Sequence, residues 1–283
     1  MKAVILNISA WMLLPFMDGI AKFLSKDIHY LQIVWGRYFF MAAFSILITS
    51  LFFKKHLSFP KLIKFQILRS SFLFLSTVFF FYAISIISLA EALTLSFISP
   101  IIATILSFVI LKEKVGPRRW VAVISGFIGI LFVIRPGFNE INLATLAAVG
   151  AGICYGFYLI STRKLSAVDS PLMTLIFTGL TGCIVISLIV PFFWTWLSIS
   201  QWTLLISLAA IGTMAHFLLI LSLRYAEASK LAPLGYSEII MNVIIGYYFF
   251  GDFPNQWMWI GLIIIIASGV YISLRENTKQ IVN

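Results

Sequence analysis

The chain has 283 residues, of which 61% are hydrophobic and 11% charged, with a mean hydropathy of +1.04. A soluble domain carries about 25% charged residues, so these figures exclude an ordinary globular protein. The net charge of +10 does not indicate a nucleic-acid partner, because the charges fall between apolar blocks and not along one soluble face.

A helix that crosses a bilayer needs about 20 apolar residues. The blocks predict ten such spans, at 4–24, 32–53, 66–87, 90–111, 117–134, 143–162, 171–192, 202–223, 229–250 and 257–274. Membrane-spanning strands would alternate polar and apolar residues in segments of about 10, and no such alternation is present. Lys2 leads directly into the first block with no small-residue cleavage site, so no cleavable signal is expected. The expected fold is therefore an all-α polytopic membrane protein of ten transmembrane helices.

Ionisable residues inside spans are expensive, so each needs a structural partner or a function. The first span carries Trp11 and the run LLPFMDGIAKF, with Asp18 and Lys22 one turn apart. Arg37 enters the second span at a similar depth below the same face. These three predict an Asp18–Arg37 pair at the outer end with Lys22 nearby, serving structure or gating. Tyr82 lies in the third span. In the fourth, Ser99-Pro100 interrupts the helix near its centre, because proline lacks the backbone donor; the break either exposes backbone to a substrate or is a static kink. Tyr155 and Tyr158 in the sixth span, with Trp11 and Tyr82, either line an apolar cavity or pack.

His216 in the eighth span either relays protons or bonds a neighbouring helix. The ninth span begins with Pro233 and holds Tyr236, Glu238 and Asn242, the last at i+4 from the acid. A carboxyl at mid-membrane without a nearby cation in sequence suits a proton carrier or a ligand for a cationic substrate; otherwise it is a hydrogen-bonded packing residue. Glu91, Glu113, Glu227 and Asp252 fall at helix ends, as solvated caps. Trp194, Trp196 and Trp202 form an interfacial belt. Cys154 and Cys183 sit in apolar runs and read as packing residues, not as a disulfide or metal pair.

Ten spans put both termini on one side. All Lys and Arg except Lys22, Lys26, Arg37 and Arg135 then fall on that side. Positive residues mark the cytoplasmic face, so both termini are expected there. The cluster Lys112, Lys114, Arg118 and Arg119 sets topology and meets anionic lipid.

The two halves repeat. Residues 83–113 and 222–252 share a layout at an offset of 139, each ending in an acid, Glu113 or Asp252; Lys22 aligns with Arg163 at an offset of 141. Five helices is an odd number, so the second copy enters from the opposite face. The repeats, 1–137 and 138–283, are therefore inverted, the arrangement secondary transporters use to place a site near the midplane. A duplicated scaffold without transport is the plainer reading.

Segments 89–137 (LAEALTLSFISPIIATILSFVILKEKVGPRRWVAVISGFIGILFVIRPG) and 225–272 (YAEASKLAPLGYSEIIMNVIIGYYFFGDFPNQWMWIGLIIIIASGVYI), with MDGIAK at 17–22 and VWGRYFF at 34–40, resemble the EamA family of the drug/metabolite transporter superfamily. The resemblance covers nearly the whole chain. It implies two EamA repeats, cytoplasmic termini, and movement of small metabolites across the inner membrane. The ILRSSFLFL and RRWVAVISGFIG stretches are most similar to members that carry S-adenosylmethionine. The expected function is a permease for an amino acid, S-adenosylmethionine or a related compound, working by alternating access and coupled to protons in one version. An intramembrane enzyme or lipid-handling protein is the competing class. It finds little support: HExxH, GxSxG, Walker and paired-cysteine motifs are absent, so no cofactor, metal or catalytic residue is expected.

Overall fold

The computed structural model describes residues 2–52, 60–110, 112, 116–134, 142–166, 168–226, 231, 234–235, 237–264 and 266–267. Among them the chain is helical throughout, with no strand. The helices are α1 (Lys2–Leu24), α2 (Tyr30–Phe52), α3 (Ile63–Ile84), α4 (Leu89–Ser96), α5 (Ile98–Ile110), α6 (Pro117–Ile134), α7 (Leu143–Leu165), α8 (Pro171–Ser187), α9 (Ile199–Tyr225) and α10 (Ser237–Phe250). A further helical run covers 256–264. Among the described residues six helices are long and apolar enough to cross a bilayer, counting α4 and α5 as one.

Short polar residues start these helices where the chain turns back. The side chains of Ser88, Asn142 and Ser170 each accept a bond from the backbone N–H three residues on, and Pro171 takes the first helical position of α8. Ser198 and Gln201 form a reciprocal capping box at the start of α9.

The fourth span is divided as expected, but at Phe97 (ψ 6°), not at Ser99. Pro100 has no N–H to offer the Ser96 carbonyl, so the helical ladder lapses one turn before the proline. The backbone of the break, from Ser96 to Ser99, is covered by a seam of small residues on α7, Ala148, Gly152 and Gly156. The Ser96 hydroxyl bonds the Ala148 carbonyl at 3.0 Å, and a Cβ on Gly152 would overlap the Ser96 carbonyl oxygen. Small residues four apart let helix backbones approach closely where lipid offers no hydrophobic drive to association.

The halves interleave. Helix α1 packs on α9 and α10, while α7 packs on α3 and on α4–α5; α2 lies against α8. Exchanging the halves reproduces this pattern. Matched hydrogen bonds carry the same relation: Lys22 donates to the Ile84 carbonyl (3.3 Å) as Arg163 donates to the Leu223 carbonyl (2.8 Å). Ser25 donates to the Lys22 carbonyl (2.8 Å) as Ser166 donates to the Arg163 carbonyl (2.7 Å). Each basic residue ends the first helix of its half and caps the third, where unpaired carbonyls attract a cation. The boundary expected at 137/138 lies outside the described residues.

Candidate functional site

Interleaving brings α1, α2, α3, the α4–α5 break, α7, α9 and α10 around one cavity of about 80 Å³. That space holds a few water molecules and is smaller than the few hundred Å³ of ordinary metabolite pockets. Both halves supply its polar lining at equivalent positions. Ser99 and Glu238 stand 139 residues apart and both reach it, as do Thr77 and His216, also 139 apart.

Arg37 is the centre of the polar network. It is 4% exposed; one terminal nitrogen donates to the Thr77 hydroxyl at 2.6 Å and the other contacts His216 Nε2 at 2.7 Å. A guanidinium can only donate. His216 Nε2 must therefore accept, which fixes the neutral tautomer with its proton on Nδ1, where Tyr158 Oη lies 3.3 Å away. Arg37 thus ties α2 to α3 in one half and to α9 in the other.

Asp18 and Glu238 are both buried and both line the cavity. The expected Asp18–Arg37 ion pair is not made. Among the described residues the sole ion pair is Lys22–Asp252, because Thr77 and His216 have taken the terminal nitrogens of Arg37. Arg37 still acts on Asp18 through its field. Asp18 Oδ1, Arg37 Nε and Tyr155 Oη have no hydrogen-bond partner among the described residues.

An aromatic wall completes the cavity. Trp11 donates to Asn7 Oδ1 at 2.8 Å, and Asn7 donates to Ser222 at 3.0 Å, which fixes the indole against α9. Tyr155 meets Trp11 edge-on with centroids 5.9 Å apart, and meets Tyr158 at 5.3 Å. Tyr158 is fully buried behind the wall, supporting His216. Tyr82 does not join them; it packs on Tyr30 at 5.4 Å near the end of α3. Asn242 is buried behind Glu238 and donates to that residue's carbonyl at 3.4 Å, away from the cavity lining. Tyr236, Pro233, Glu113, Glu227 and Lys114 lie outside the described residues.

Lys22 sits near the C-terminal end of α1. Besides the Ile84 carbonyl it donates to the Ile87 carbonyl at 2.9 Å, and its ion pair with Asp252 measures 3.5 Å. Lys22 was expected near the Asp18–Arg37 pair, and Asp252 as a solvated cap. Lys22 instead bridges the first half to the loop after α10 in the second. Glu91 is also more than a cap, half-buried in the field of Lys22. Trp196 is almost fully exposed, as a belt residue should be, while Trp194 and Trp202 pack on Trp35.

One cluster escaped the sequence reading. Arg69, counted there only among the cations on the side of the termini, is fully buried in α3. It donates to Thr162 (2.7 Å) and Thr178 (2.8 Å), and its guanidinium lies 4.6 Å from the centre of the Tyr158 ring. Beside it, Gln66 donates to Asp169 at 2.8 Å. Two signals were available. Arg69 stands beyond the first turn of its helix, and Thr77 occupies the repeat position of His216.

Membrane-spanning helices in two inverted halves, converging on a small charged cavity, define a membrane transporter of small molecules. The chain belongs to the EamA-like transporter family, whose pattern matches residues 1–135 and 142–274. It is 26% identical over 280 residues to the S-adenosylmethionine uptake transporter of Rickettsia prowazekii, covering 97% of this chain and 95% of that protein. It is 32% identical over 198 residues to the riboflavin transporter of Vibrio cholerae, covering 67% of this chain and 64% of that protein, less than two thirds of its length. A solved crystal structure superposes with a TM-score of 0.75 at 16% identity, covering 96% of both chains, and shows the fold alone. These matches set aside the enzyme reading. His216 agrees, being bonded to Arg37 and Tyr158, with no serine bonded to it among the described residues.

Proposed function

We propose that this protein is a secondary transporter of the bacterial inner membrane, with both termini cytoplasmic, that moves a small metabolite by alternating access. The observation that carries the reading is the cavity itself. It lies where the halves 1–137 and 138–283 meet, and each half contributes polar residues at matching repeat positions. Such a site can be exposed to either face when the halves exchange shapes. Candidate substrates are those its relatives are named for, S-adenosylmethionine and riboflavin, together with amino acids. In the proton-coupled version Glu238 carries the proton.

Uptake of labelled candidates into proteoliposomes, with and without a proton gradient, tests the reading. Saturable flux is expected for at least one. A folded protein that moves none of them, nor any member of a wider metabolite panel, contradicts it. Glu238→Gln is expected to lower that flux by about tenfold or more, the effect of changing a buried charged group, whereas Trp196→Phe leaves it unchanged. Equal flux through Glu238→Gln and the wild type between pH 5 and 8 removes the proton-carrier role.

Lys22–Asp252 is the outer latch in this reading. The pair spans 3.5 Å between partly buried side chains, and in this reading it opens in each cycle. Asp252→Ala is expected to leave folding intact and raise outer-face labelling of a cysteine placed in the cavity. Unchanged labelling would mean that the pair is a static helix cap.

A further inference from the structure

We infer that Arg69 and Asp169 form a two-position switch on the cytoplasmic side of the cavity. Arg69 is held by threonines of α7 and α8 in this structure, and it moves to pair with Asp169 when that side opens. The switch concerns no substrate, and it rests on the alternating access of the transport reading. Its place follows from contacts at the helix ends. Arg69 bonds Thr162 near the C-terminal end of α7, Arg163 bonds the Leu223 carbonyl near the end of α9, and Lys2 at the start of α1 bonds Tyr225 at 3.3 Å. These ends share the face that carries the N-terminus. Along α3, Arg69 stands one turn, about 6 Å, before Leu73, which lines the cavity. The arginine layer thus lies between the cavity and that face.

A buried cation ordinarily takes a carboxylate, because pairing offsets the loss of water. Arg69 has none among the described residues. Its Nε donates to Thr162, and one terminal nitrogen donates to Thr178 and, at 3.4 Å, to the Thr174 carbonyl. Both threonine hydroxyls give their own protons to their helices, at 2.7 and 2.8 Å, and so accept from Arg69. The other terminal nitrogen has no partner among the described residues. A carboxylate stands one contact away. Gln66 precedes Arg69 by three residues on the same face of α3. Its amide nitrogen donates to Asp169 at 2.8 Å and to Thr174 at 3.1 Å, while its Oε1 has no partner among the described residues. Asp169 is buried as well, and its other oxygen accepts the Lys61 backbone N–H at 3.0 Å.

The same groups fit together in a second way. Turned toward Asp169, the guanidinium makes charge-assisted bonds to a carboxylate, about twice as strong as bonds between neutral groups. Gln66 is then displaced from the carboxylate, and its amide turns to the threonines that Arg69 has left. Two arrangements of one set of groups supply the bistable element that conformational exchange requires. The move also reaches the cavity. Arg69 leaves the face of the Tyr158 ring, whose hydroxyl is the partner of His216 Nδ1, and His216 in turn holds Arg37. Arg37 returns to α3 at Thr77, about two turns beyond Arg69. Release of Arg69 therefore loosens a ring of contacts that runs through both halves.

The test reads thiol accessibility, so it needs no substrate. Ser99→Cys, with Cys154 and Cys183 replaced by alanine, is labelled from each face of oriented proteoliposomes with the impermeant thiol reagent MTSET. Asp169→Asn keeps the size of the side chain but removes the charge that Arg69 moves to. Labelling from the cytoplasmic face is expected to fall about tenfold, while labelling from the outer face rises. Gln66→Ala removes the group that competes with Arg69 for the carboxylate, and cytoplasmic labelling is expected to rise about threefold. A static clasp predicts a rise in both, because either change weakens the bond between Gln66 and Asp169. Unfolding speeds labelling from both faces at once. Asp169→Ser and Gln66→Leu repeat the two arms should a first variant unfold. Any other outcome of the two arms, such as shifts of one sign or a missing shift, overturns the switch and leaves alternating access standing. Labelling of the parent from one face alone overturns both.

Discussion

Arg37→Gln lowers uptake by about a hundredfold and is the most damaging single change at the cavity. Its guanidinium is the one cation in the lining among the described residues, and it joins Thr77 of α3 to His216 of α9 across the two halves. Glutamine can restore one of these bonds but not both, and it supplies no charge. Removing one member of a buried charged network costs about 3 kcal/mol, which converts to about a hundredfold. The loss also has a direction. With Arg37 gone, Asp18 and Glu238 face each other without a compensating cation, so adding Asp18→Asn should recover part of the folding stability lost in Arg37→Gln. Thermal midpoints of the wild type, both single variants and the double variant measure this coupling. Additive losses would show that Asp18 and Arg37 act independently, despite their shared cavity.

Gly152→Ala is the corresponding prediction for the scaffold. Its added methyl would meet the Ser96 carbonyl oxygen and lie 2.6 Å from Ile98 Cγ2. The carbonyl belongs to backbone and cannot rotate aside as a side chain would. Helix α7 must then back away from the α4–α5 break, at a cost of about 1–3 kcal/mol, the range for overpacking a filled interface. Ser96, Phe97 and Ser99 line the cavity from this break, so uptake falls together with the thermal midpoint. Gly150→Ala is the control. The nearest atoms to a Cβ there are those of the Phe79 ring, at 3.3 Å, and a ring can tilt. Equal tolerance of the two alanines would show that the close approach of α7 does not hold the break in place.

Much of this architecture is legible in the sequence because the bilayer imposes it. Apolar blocks of fixed length give the spans, and an offset repeated through 83–113 and 222–252 gives the inverted halves. Polar residues are rare enough that Asp18, Arg37, Ser99, Tyr155, His216 and Glu238 could be singled out, and the fold gathers all six around one cavity. Partnerships were harder to read. Lys22 was placed beside the Asp18–Arg37 pair by proximity along a helix, but its partner Asp252 comes from the far end of the chain. Arg37 was assigned to Asp18 by depth, yet depth does not say which way a side chain turns. Arg69 was read as a topological charge because it follows a basic loop, while three threonine contacts on α7 and α8 hold it inside. In each case the missing information was which helix of one half lies beside which helix of the other. A linear pattern does not encode that until the interleaving is known.

The central claim is that one cavity is exposed alternately to the two sides of the membrane. Ser99→Cys tests it most directly, in a protein whose Cys154 and Cys183, both half-buried, are replaced by alanine. Ser99 lines the cavity and is 6% exposed, so an impermeant thiol reagent reaches it only when the site opens. Labelling from each face of oriented proteoliposomes is expected, with Asp252→Ala shifting the balance toward the outer face. Labelling from one face alone, in both the parent and the Asp252→Ala background, would contradict alternating access.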